Sequence, residues 1–127
     1  MPARGSNVKR RIILNELATK ISGTMLDKKA FDIKIIDISG LSTVADFFVI
    51  CTVNNLRQAQ AVADEIELVL SKQGHHPKGI EGYRQGNWIL MDFTDVIVHI
   101  FDKDAKSFYN IERIWSDGKL MEIEEEA

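Results

Sequence analysis

The succession of apolar patterns predicts a single domain of the α/β class (α+β), built on a mixed five-stranded sheet with flanking helices. Three observations carry that prediction. Phe47–Val53 and Val96–Phe101 are runs rich in β-branched and aromatic residues, too apolar for simple alternation, so each reads as an inner strand covered on both faces. Between them Ala59, Val62, Ala63, Ile66, Val69 and Leu70 recur at helical spacing. The 127 residues are 45% apolar, enough for one real core, and contain no repeat or low-complexity tract.

Residues 1–7 include Pro2, Gly5 and Ser6 without an apolar pattern and are expected to be a flexible N-terminus. Residues 8–117 form the expected domain, and 118–127 an acidic tail without structure of its own. From Val8 to about Met25, Leu14, Leu17, Ala18, Ile21 and Met25 share one helical face. Phe31–Asp37 alternates apolar and polar over most of its length, which reads as a strand with one wet face. A turn-rich connection, 39–46, leads into the second strand. Asp46 stands at the start of that strand, where a carboxylate can accept backbone N–H bonds or meet a partner. Asn54-Asn55 offers an N-cap to the second helix, which Gly74 ends. Gly79–Tyr83, Trp88–Met91 and Val96–Phe101 then follow as neighbouring strands, antiparallel where their loops are short. Asp102 or Asp104 can cap a last helix that carries Phe108, Ile111 and Trp115 on one face and Tyr109 on another.

Composition narrows the function. The apolar runs fall far short of the roughly 20 residues of a membrane span, and no signal-peptide core follows Met1, so a soluble cytoplasmic protein without a membrane partner is expected. Cys51 is the single cysteine, in an apolar run, and reads as a buried thiol. The net charge of −3 reflects Glu122, Glu124, Glu125 and Glu126; without them 15 acidic residues face 16 basic ones. A nearly neutral body predicts little direct nucleic-acid binding. Arg4, Lys9, Arg10 and Arg11 read first as a solvated helix start and second as an arm that touches RNA.

No catalytic or metal-ligating constellation stands out. Asp92, Asp95 and His99 admit two readings, a general base between carboxylates or turn aspartates beside a core histidine. No Ser or Cys nucleophile stands beside them, which favours the second. His75-His76 has no Cys or carboxylate at ligand spacing, and neither GxxxxGK[ST] nor GxGxxG occurs, so no metal or cofactor is implied. What remains is a density of aromatic and apolar side chains around one hairpin, with Trp88 at its start, a surface suited to binding protein.

Five pieces in order then carry a family likeness: Leu41–Ile50, Ile80-Glu81-Gly82, Trp88–Asp92, Val96–Phe101 and Phe108–Trp115. Over about Phe31 to Trp115 the sequence resembles the Iojap-type ribosomal silencing factors. The resemblance implies a fold similar to nucleotidyltransferases without their catalytic motif, since no Gly-Ser helix start followed by an Asp-x-Asp pair is present. It also implies a translational repressor, not an enzyme, which docks on the large ribosomal subunit through ribosomal protein L-fourteen and sterically blocks subunit joining. By position Trp88 is the anchor, Ile89 and Leu90 lie beside it, and Tyr109 is a secondary contact. Asp46, Glu81, Asp92 and His99 match family positions as structural or contact polar residues. Thr52-Val53-Asn54-Asn55 replaces the family's Gly- and Ser-containing turn, and Lys106 stands where Arg is usual. Two other readings remain open: a nucleotidyltransferase-like enzyme that transfers phosphate, and a homodimeric interaction module with a self-complementary aromatic surface.

Overall fold

The computed structural model describes residues 8–40, 45–105 and 119–121. Helix α1 spans Val8–Asp27, and its five expected inward residues, Leu14, Leu17, Ala18, Ile21 and Met25, are all buried. It ends where Lys29 takes a left-handed φ of 68°. Lys29 N–H then donates to the Leu26 carbonyl and Ala30 N–H to that of Met25, satisfying two carbonyls that the helix leaves over. Helix α2, Leu56–Ser71, starts as the sequence predicts: the Asn55 side chain accepts from Gln58 N–H at 2.8 Å. It ends at Gly74, whose φ is 83°, with His75 N–H donating back to the Leu70 carbonyl.

The strands are β1 (Phe31–Asp37), β2 (Phe47–Val53), β3 (Gly79–Glu81), β4 (Trp88–Asp92), β5 (Val96–Asp102) and β6 (Lys119–Met121). They form one sheet in the order β3-β4-β5-β2-β1-β6. β2 and β5 pair in parallel, Phe47 opposite Val96 through Val53 opposite Asp102, while every other pair is antiparallel. The five expected strands are thus present in one mixed sheet, and the two runs without alternation lie inside it. All seven residues of β2 are buried.

Two expectations are corrected. Residues 119–121, assigned to the tail, form β6 against Ile35–Asp37 of β1. A strand edge presents a row of N–H and C=O groups that any extended segment can satisfy, and no local apolar pattern announces such a segment. β1 also lacks the expected wet face along its second half, because the neighbours Ile35 and Ile36, 3% and 4% exposed, are both buried.

The reason is that each face of the sheet carries its own apolar cluster. Both helices pack on one face, over Phe47, Val49, Cys51, Ile89, Met91, Val98 and Ile100. The opposite face holds Ile36, Ile38, Ala45, Phe48, Ile50, Phe101 and Ala105, with Trp88 and Ile97 packed against them. Cys51 is a buried free thiol, as expected. Asp102 Oδ1 accepts from Ala105 N–H at 2.7 Å and so caps the first helical turn after β5. The rest of that expected helix, with Phe108, Tyr109, Ile111 and Trp115, lies outside the described residues.

Candidate docking face

The start of β4 is set by glycine. Gly82 and Gly86 have φ of 78° and 72°, and Gly86 N–H donates to the Gly82 carbonyl at 2.9 Å to close the turn ahead of Trp88. A β-carbon on Gly82 would collide with the Trp88 carbonyl, and one on Gly86 with Leu56 at the start of α2. The Asn87 carbonyl accepts from Asp102 N–H, which ties the start of β4 to the end of β5. Trp88 therefore sits on backbone held from two sides.

The two-residue period of the strand then sorts the side chains. Ile89 and Met91 turn into the helix-side core and are 0% exposed. Trp88 and Leu90, both half-buried, turn to the opposite face. Ile89 is accordingly withdrawn from the contact residues: adjacent strand positions cannot share a surface, and its side chain is fully enclosed. Tyr109 lies outside the described residues.

Trp88 stacks on its register partner Phe101, with ring centroids 5.1 Å apart and planes 29° from parallel. Its indole Nε1–H donates to Nδ1 of His99 at 3.1 Å. His99 meets the Phe48 ring edge-on at 4.6 Å and lies parallel to Phe101. Sheet register places Glu81, Leu90, His99, Ile50 and Lys34 in one row on this face, so the imidazole has apolar neighbours on both sides. Burial pushes its pKa down from the usual 6.5 to about 4. A carboxylate beside it would act in the opposite direction.

The cluster of Asp92, Asp95 and His99 does not assemble as a general-base site. Asp92 Oδ1 accepts from Thr94 N–H at 2.7 Å, a turn contact that lets Thr94 take a φ of 75°. The Asp95 carbonyl accepts from Asp46 and Phe47 N–H. His99 gives its Nδ1 lone pair to Trp88. Asp46 is fully buried just before β2, where its main-chain carbonyl accepts from Ile38 N–H, so its side chain is not presented at the surface. Glu81 is exposed on the edge strand β3.

At the β2–α2 turn, Asn54 N–H donates to Gln58 Oε1 and Gln58 N–H to Asn55 Oδ1. These amides are occupied within the turn. Among the described residues no three His, Cys, Asp or Glu side chains are grouped to hold a metal ion.

Sequence reading missed Phe48 and Phe101 as the rings that support Trp88 and His99. Their hydrophobicity was visible, but which ring faces which depends on strand register. It also passed over Leu56, 44% exposed beside the Gly86 turn. The available signal was an apolar residue at the first position of a helix, off its buried face.

The family model described as "Ribosomal silencing factor during starvation" matches residues 13–127. The ribosomal silencing factor RsfS of Halalkalibacterium halodurans is 44% identical over 98 residues, which cover 77% of this chain and 84% of that protein. That of Bacillus subtilis is 43% identical, with 77% and 83% covered. A crystal structure of a Chromobacterium violaceum protein superposes with a TM-score of 0.78 at 29% identity, covering 80% of this chain and 85% of that one. The likeness therefore spans both the sheet that carries Trp88 and the helices behind it, and the chain belongs to the ribosomal silencing factor family.

Proposed function

We propose that this chain represses translation as a steric plug. It docks on the large ribosomal subunit through ribosomal protein L-fourteen, with Trp88 as the anchor, and its bulk prevents the small subunit from joining. The observation that carries the reading is Trp88 itself, a half-buried ring stacked on Phe101, beside the half-buried Leu90 on the same sheet face. A large ring on a rigid strand, with a polar N–H and an apolar body, has the character of an interface hot spot. No bond is made or broken in such a mechanism, in keeping with a family named for silencing.

Calorimetric titration of purified L-fourteen into wild type and Trp88→Ala, both checked for folding by circular dichroism, tests it. Binding by wild type that weakens by about 2 kcal/mol or more in the variant is the expected result. Equal binding would move the interface away from Trp88. If wild type does not bind, and light scattering shows that its own dimer is not hiding the surface, the docking reading falls. Thermal stabilisation by a nucleotide with magnesium would then revive the phosphate-transfer alternative.

A further inference from the structure

Strand β5 would be apolar from Val96 to Phe101 were it not for His99, and that imidazole is 3% exposed. A polar ring in such a place is unfavourable unless it makes a hydrogen bond that matters. The bond it makes is to the indole N–H of Trp88, at 3.1 Å. We infer that His99 is a positioning residue for Trp88: it accepts the indole N–H and holds the anchor ring over Phe101 before any partner arrives.

The geometry supports this directly. Trp88 lies opposite Phe101, and His99 lies opposite Leu90, so the bond runs diagonally between the two strands. Stacking on Phe101 fixes the plane of the indole but leaves its direction in that plane open. The N–H bond to His99 removes that freedom. His99 in turn is held by the edge of Phe48 and the parallel face of Phe101. An anchor ordered in this way does not lose rotamer freedom on docking, which is how preorganisation raises affinity.

The protonation state follows. An indole N–H can only donate, so Nδ1 must carry a lone pair and the proton of the neutral imidazole sits on Nε2. Nε2 has no acceptor among the described residues. Among the described residues, the hydrogen bond that His99 makes is therefore the one its Nδ1 accepts.

The inference rests on the docking reading above, and the experiment separates the two. In ¹⁵N-labelled wild-type protein at neutral pH, long-range imidazole spectra should show His99 protonated at Nε2 and bare at Nδ1. The Trp88 indole N–H, assigned by its loss in Trp88→Phe, should exchange slowly with solvent. A proton on Nδ1, or an indole that exchanges like an exposed one, would overturn the inference without any variant at this position.

His99→Leu keeps the bulk and removes the acceptor, while His99→Asn keeps an acceptor oxygen near the place of Nδ1. The expected result is a fast-exchanging indole and about 2- to 10-fold weaker L-fourteen binding in His99→Leu, with both restored toward wild type in His99→Asn. If Trp88→Ala weakens binding but His99→Leu binds as wild type, this inference fails and the docking reading stands. Binding that does not depend on Trp88 at all overturns this inference and moves the interface elsewhere, whereas no binding by wild type overturns the docking reading itself.

Discussion

At the scale of single residues, the sheet face opposite the helices is organised by an imidazole that is buried and uncharged. His99 has its pKa lowered to about 4 by burial, below the 6.5 of an unfolded chain. Between those values the unfolded state takes up a proton that the native state refuses, so stability is full above about pH 6.5 and is lost as pH falls toward 4. Among the described strand residues, register places the charged groups Lys34 and Glu81 at the two ends of the row on this face, with Asp92 held in its turn by Thr94. The contribution is on the order of 3 kcal/mol. Urea unfolding followed from pH 8 to pH 4.5 should show that loss in wild type and a smaller one in His99→Asn. Gly82 is the second position where one residue decides local geometry. Its φ of 78° and its closeness to the Trp88 carbonyl predict that Gly82→Ala destabilises by roughly 1–3 kcal/mol and displaces the Trp88 ring. A lowered urea midpoint with an altered Trp88 indole resonance checks it. An unchanged midpoint would show that the turn can relax.

At the scale of elements, both helices end through the same two backbone bonds around one left-handed residue, yet only α2 has glycine there. α2 uses Gly74, while α1 uses Lys29 at φ 68°. A β-carbon is unfavourable in that region, so Lys29→Gly should stabilise the fold by about 0.5–1 kcal/mol, read as a raised urea midpoint. A fall would mean that the stem of the Lys29 side chain contributes more than its backbone conformation costs. The start of α2 also joins the helices: Gln58 Nε2 donates to the Lys28 carbonyl at 3.1 Å while its backbone N–H is capped by Asn55. Most of this was legible in the chain. The helical periodicities, the Asn55 cap and the stop at Gly74 are local, because each depends on residues within a turn of one another. The end of α1 was not, since Lys29 carries no signal for a left-handed backbone.

At the scale of the whole molecule, β6 closes part of the free edge of β1 although it comes from the far end of the described chain. Removing residues 119–127 should therefore expose the β1 edge. The expected outcome is a loss of about 2 kcal/mol from the short ladder and stronger self-association, read by urea unfolding and light scattering. A truncated chain as stable and as monodisperse as the full one would show that β6 contributes nothing measurable.

By itself the sequence determined that the chain folds as one mixed sheet with helices packed on it. It also determined that β2 and β5 lie inside, and that Trp88 opens the strand of interest. Those properties follow from apolar periodicity, composition and turn chemistry, which are written in neighbouring residues. Tertiary structure decided what could not be local. The parallel register of β2 with β5 brought Phe48 beside His99, and the antiparallel register of β4 with β5 set Trp88 over Phe101. The same pairing kept Asp92 and Asp95 in their turn, gave the His99 nitrogen to the Trp88 indole, and turned Ile89 away from the surface. Register is the physical reason: a shift of one residue sends every side chain of a strand to the other face, and only the packed sheet selects which one is real.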